Sequence, residues 1–115
     1  MAAQPDWLVK LRTEYVRTFP EKLARLESLI AAIRKEPALL EPRDEILRFL
    51  HSLEGSAGSY GFSDLRTIAG ESHETLETIF RVQGPLEATA IGTMCGILRH
   101  LGTCIRVHAE ALPQE

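Results

Sequence analysis

The chain has 115 residues, a length suited to one domain with one core, and its 44% hydrophobic and 25% charged content is ordinary for a globular protein. Net charge is −3, with Lys and Arg scattered among acids, which argues against a nucleic-acid binder. No apolar run approaches a membrane span and the first residues lack the apolar stretch of a signal peptide, so the expected location is cytoplasmic.

The first apolar series is Leu8, Leu11 and Tyr15, a short helix that Trp7 is expected to pack onto the rest. Thr18, with Glu21 three residues on, has the pattern of a capping box opening a second helix, although Pro20 could instead kink a continuous one. Leu23, Leu26, Ile30 and Ile33 carry that helix to about Lys35. Pro37 and Pro42 bracket a connection, and Pro42 suits the first turn of a third helix running to about Tyr60, where Gly61 fits the C-terminal cap.

The third helix holds the most informative stretch. Ile46, Phe49, Leu50, Leu53, Ala57 and Tyr60 recur at steps of three and four and make one apolar face. At roughly 100° per residue, His51 lies about 160° from the centre of that face, turned to solvent. Gly55 and Gly58 fall on the same outer side. A glycine inside a helix costs about 1 kcal/mol relative to alanine, so two on one exposed stripe need a reason. Space beside the imidazole for another protein's surface is such a reason.

Ser63 is the N-cap candidate of a fourth helix, with Leu65, Ile68, Ala69, Ser72, Leu76 and Ile79 as its core face and His73 beside that face. Gly84 and Pro85 read as a stop and a start. The last helix carries Ile91, Met94, Leu98, Leu101 and Ile105, with Pro113 beyond it. Gly92, Gly96 and Gly102 in this helix suggest tight helix–helix approach. Alternation of β-branched residues is absent, so no strand is predicted. The expected fold is all-α: an antiparallel up-down-up-down four-helix bundle with a short extra N-terminal helix. It forms a single domain over 1–115, with its core at about 6–111 and frayed ends at about 1–5 and 112–115.

Two patterns bear on metal binding. His100, Cys104 and His108 stand at i, i+4 and i+8, but the stripe drifts by about 40° per step, and it reads as a buried cysteine flanked by two surface histidines. A di-iron bundle would need Glu-x-x-His motifs, and none of the four histidines has a Glu three residues before it. The expectation is therefore no metal on this chain. Cys95 and Cys104 read as reduced, largely buried thiols on roughly opposite faces of one helix.

The run His51-Ser52-Leu53-Glu54-Gly55-Ser56-Ala57-Gly58-Ser59-Tyr60-Gly61, followed by Leu65, resembles the signature of histidine-containing phosphotransfer (HPt) domains, H-x-L-K-G-S-A-x-x-x-G with a leucine a few residues on. That family also has a four-helix bundle preceded by a short helix. The resemblance implies that His51 is a phosphoacceptor exchanging a phosphoryl group with an aspartate of a response-regulator receiver domain, or accepting it from a histidine kinase. It implies no cofactor on this chain, the Mg²⁺ of the transfer belonging to the receiver. The partner-docking surface is expected to include Leu47, Glu54, Gly55, Gly58 and Phe62, with Leu47 and Phe62 as apolar contacts flanking the stripe. Gly55 leaves room beside the histidine, while Ser56, Ala57 and Gly61 match packing and turn positions.

One departure stands out. The family's usual lysine three residues after the histidine is Glu54 here. A carboxylate one turn away either repels an incoming phosphate by like charge or accepts a hydrogen bond from the imidazole and orients it. The alternative function is accordingly a degenerate bundle that binds a signalling partner without phosphotransfer.

Overall fold

In the computed structural model, which describes residues 4–112, the chain forms α1 (Asp6–Val16), α2 (Phe19–Lys35), α3 (Glu41–Ser59), α4 (Ser63–Ile79) and α5 (Ala88–Glu110), with no strand among the described residues. The first three residues and the last three, including Pro113, lie outside that range. The elements follow the apolar periodicity, although Leu23, Ile30, Phe49, Tyr60, Ile68, Ile79 and Ile91 of the expected faces are only partly buried and Leu29, outside the expected set, is buried. Leu26, Leu29 and Ile33 of α2, Ile46, Leu50, Leu53 and Ala57 of α3, Leu65, Ala69 and Leu76 of α4, and Met94, Leu98, Leu101 and Ile105 of α5 are all buried in one cluster. The helices α2 to α5 close a ring in which α3 packs on α2 and α4, and α5 packs on α2 and α4. Each is joined to the next by a short connection, so neighbours run antiparallel.

Several local expectations need correction. Thr18 does occupy the N-cap of α2, but without a side-chain cap bond. Its hydroxyl instead donates to the Tyr15 carbonyl at 2.6 Å and accepts from Lys22 Nζ at 3.0 Å. Pro20 falls in the first turn of α2, where its missing N–H costs nothing. The N-cap of α4 is Phe62 rather than Ser63, and it too caps nothing with its side chain. Trp7 is 64% exposed and does not pack α1 onto the bundle. Leu11 is exposed as well, and burial in α1 is concentrated in its last turn, at Tyr15 and Val16. An added Cβ at Gly92 or Gly96 would meet open space, and one at Gly102 would make an ordinary contact with Leu23 at 3.7 Å, so these glycines do not mark a close helix approach.

The turn after α3 fixes what lies behind the candidate site. Gly61 takes the left-handed backbone, with φ of 81°. The Gly61 N–H donates to the Gly58 carbonyl at 3.2 Å and the Phe62 N–H to the Ala57 carbonyl at 2.8 Å, the paired bonds of a Schellman ending. That ending folds Phe62 back into the core, where it is 7% exposed and packs near Tyr15 and Phe19. Phe62 is thus removed from the docking surface. The sequence identifies Gly61 as the cap of α3 and puts Phe62 beside the exposed stripe, but it does not show that the left-handed turn carries the next residue back toward the core.

At the opposite end, Arg43 is 1% exposed and its guanidinium donates to main-chain carbonyls of Pro37 (2.7 Å), Val82 (2.9 Å), Phe80 and Gly84. It clasps the loop before α3 to the loop before α5. The Leu86 N–H reinforces this by donating to the Pro37 carbonyl at 3.1 Å.

Candidate functional site

His51 stands exposed in the middle of α3, directly outside the buried Leu50 and Leu53. Because α3 is fixed by four fully or nearly fully buried apolar side chains, the imidazole sits on a rigid support. Across from it on α4 is His73, half-buried, with ring centroids 5.9 Å apart and planes tilted by 51°. Neither imidazole nitrogen of His51 is hydrogen-bonded among the described residues, leaving the ring free to present a lone pair.

The surroundings are laid out by the antiparallel register of α3 and α4. His51 lies beside His73, Glu54 beside Gly70, and Gly58 beside Arg66. A Cβ on Gly70 would run into the Glu54 carboxylate, so Glu54 occupies the space that this glycine leaves. A Cβ on Gly58 would meet Arg66 Cδ at 3.0 Å and Nε at 3.3 Å. The space beside Gly58 is therefore covered by an arginine of this chain. Gly55 alone of the two outer glycines of α3 faces open space, with nothing within 4 Å of an added Cβ. Glu54, Gly55, Gly58, Ser59 and Arg66 line an open depression next to His51.

The hydrogen bond from His51 to Glu54 that the sequence permits is not made; the carboxylate lies across α4 instead. Leu47, one turn before His51, is half-buried and packs against the core with part of its surface still outside. The α4 residues Arg66, Gly70 and His73 were not linked to the site by sequence reasoning. A signal was present: their spacing of four then three mirrors the three then four of His51, Glu54 and Gly58, as facing stripes of antiparallel helices require.

Behind the site, Tyr15 of α1 stacks on Tyr60 with centroids 4.4 Å apart, and its hydroxyl shares a 2.6 Å hydrogen bond with Ser56. Burial pushes the Tyr15 phenol above its ordinary range, with the bond to Ser56 working against that rise. Ser56 of the signature thus anchors α1 to α3.

A family model described as the Hpt domain matches residues 10–101. The chain belongs to the Hpt domain family. A curated relative, the chemotaxis protein CheA of Halobacterium salinarum, is 32% identical over 76 residues, 66% of this chain and 11% of that protein. The chain therefore spans about a tenth of the length of the curated relative it matches. No solved structure matches it. As an Hpt domain it takes a phosphotransfer role in two-component signalling, and its all-α bundle agrees with that family. Among the described residues no helix is long and apolar enough to cross a membrane.

Proposed function

We propose that this Hpt domain is a phosphorelay intermediate in which His51 is the phosphoacceptor. The observation that carries the reading is the exposed, unbonded imidazole of His51 on a buried-face helix, with open space at Gly55 one turn on. A neutral imidazole offers one nucleophilic nitrogen. Its lone pair attacks the phosphorus of an aspartyl phosphate on a receiver domain. The P–N bond forms, the acyl P–O bond breaks, and the aspartate leaves as a carboxylate. The reverse step passes the phosphoryl group to a second receiver, and a histidine kinase is the other candidate donor. The metal and the activated phosphate belong to the partner. This chain contributes a positioned nitrogen and a surface that admits the receiver, made by His51, Leu47, Glu54, Gly55 and the Arg66-covered Gly58.

The test mixes the purified chain with receiver domains labelled by a small phosphodonor and follows acid-labile, base-stable phosphate. Label on the wild type and none on His51→Gln, with the helical spectrum unchanged, is the expected result. Label retained by His51→Gln would displace the site. No label from any of several receivers that nonetheless bind the chain would support the phosphate-independent binding module instead.

A further inference from the structure

About 13 Å back along α4 from His73, the residue that faces His51, the first turn of α4 meets the last turns of α5. Three side chains of metal-binding type converge there. Asp64 Oδ2 lies 2.9 Å from His108 Nε2 and 3.6 Å from Cys104 Sγ, and the three donor atoms all fall within 4.8 Å of one another. Cys104 and His108 are one helical turn apart, so both reach the same side of α5. The Leu65 N–H donates to Asp64 Oδ1 at 2.8 Å and holds the carboxylate in place; His108 Nε2 faces both of its oxygens, at 3.0 Å from Oδ1 and 2.9 Å from Oδ2, while Cys104 Sγ lies by Oδ2. The Phe62 ring stands against the His108 imidazole with centroids 4.9 Å apart and planes at 78°. Both outer ligands thus have a support that limits their freedom before any ion arrives.

We propose that Asp64, Cys104 and His108 form a three-ligand site for a zinc-class divalent cation, with the fourth position open to solvent on the exposed side of Asp64. Zinc–ligand bonds of about 2.0 to 2.3 Å in tetrahedral geometry place donor atoms roughly 3.3 to 3.6 Å apart. The observed spacings reach that arrangement with side-chain movements of about 1 Å. One thiolate, one imidazole and one carboxylate suit zinc and exclude a preference for Mg²⁺ or Ca²⁺, which take all-oxygen sets. Thiolate and carboxylate together balance the double positive charge. Binding releases the thiol proton of Cys104 to solvent as the sulfur–metal bond forms, and His108 turns its Nε2 lone pair to the ion with its proton on Nδ1. The ion would tie the start of α4 to the end of α5, on a part of the bundle separate from His51.

The experiment titrates the metal-free chain with Co²⁺ alone and follows the thiolate-to-metal charge-transfer band and the visible bands of tetrahedral cobalt. One Co²⁺ per chain, displaced by Zn²⁺, is expected. Cys104→Ser should lose the charge-transfer band, and Asp64→Asn and His108→Gln should each weaken binding about 100-fold or more, beyond the loss usual for an outer support. Cys95→Ala and His51→Gln should bind as the wild type does. In the wild type itself, Zn²⁺ should protect Cys104 from alkylation, a reading that needs no variant. Absence of the band in the wild type, its survival in Cys104→Ser, loss of binding in His51→Gln, or alkylation of Cys104 unaffected by Zn²⁺ would each overturn the site and leave a hydrogen-bonded triad.

Discussion

The carboxylate of Glu54 fills the space that Gly70 leaves on the facing helix, with its Cδ 3.1 Å from where a Cβ at position 70 would stand. The acid that replaces the family's usual lysine is thus laid across α4. The contact involves the far end of a flexible side chain, which can swing away at little cost. Gly70→Ala should therefore gain up to about 1 kcal/mol of helix propensity while turning Glu54 out toward solvent. Urea unfolding and the rate of His51 labelling measure the two effects. A loss of stability would mean that the carboxylate is held more firmly than this packing indicates.

Glu54→Lys tests the charge itself. An ammonium in place of a carboxylate near the incoming phosphoryl group should speed labelling of His51 by roughly two- to tenfold, the range of screened surface electrostatics, and less at high salt. A rate unchanged at low salt would remove Glu54 from the electrostatics of transfer.

Gly55→Ala separates docking from folding. With open space around an added Cβ, the substitution meets no clash and should stabilise α3 by about 0.5 to 1 kcal/mol. Phosphotransfer should nonetheless fall, because the methyl group stands where a receiver approaches His51. If the stabilised variant transferred at the wild-type rate, Gly55 would not be part of the docking surface.

Arg43→Met tests the clasp between the loops. Four carbonyls would lose a charged donor in a buried place, so the variant should lose about 3 kcal/mol or more in chemical denaturation. A near-neutral result would show that water replaces the guanidinium there.

The Tyr15 phenol supplies a pH prediction. Its folded pKa is raised above 10.0 by burial, so its contribution to stability is present below pH 10.0 and is lost as pH rises through the folded value. In a Tyr60→Phe background, the remaining tyrosinate absorbance should appear above pH 10.0, and Ser56→Ala should move it higher by removing the bond that opposes the rise. A midpoint at or below 10.0 would show that Tyr15 is solvated.

Much of this was legible in the residues. The core faces of α2 to α5, the outward placing of His51 and the absence of strands among the described residues follow from apolar period, which is local and strong. Phe62 was misplaced because a left-handed turn at Gly61 reverses the chain there. Trp7 was misplaced because an amphipathic pattern says that a helix has an apolar side, not that a partner reaches its far end. Arg43 was missed because nothing in a lone arginine announces that four carbonyls from two loops will surround it.

By itself, then, the sequence determined the helices, their buried faces and the histidine signature, since each depends on residues within a few turns of one another. Tertiary structure decided which residues from α4 stand beside them. It set His73 next to His51, Gly70 beneath Glu54 and Arg66 over Gly58, because those pairings depend on the register of two antiparallel helices. It also brought Asp64 to Cys104 and His108, completing on a second helix a donor set that α5 alone could not supply. Contacts across 40 or more residues arise from how whole faces pack, and that is fixed only when the bundle closes.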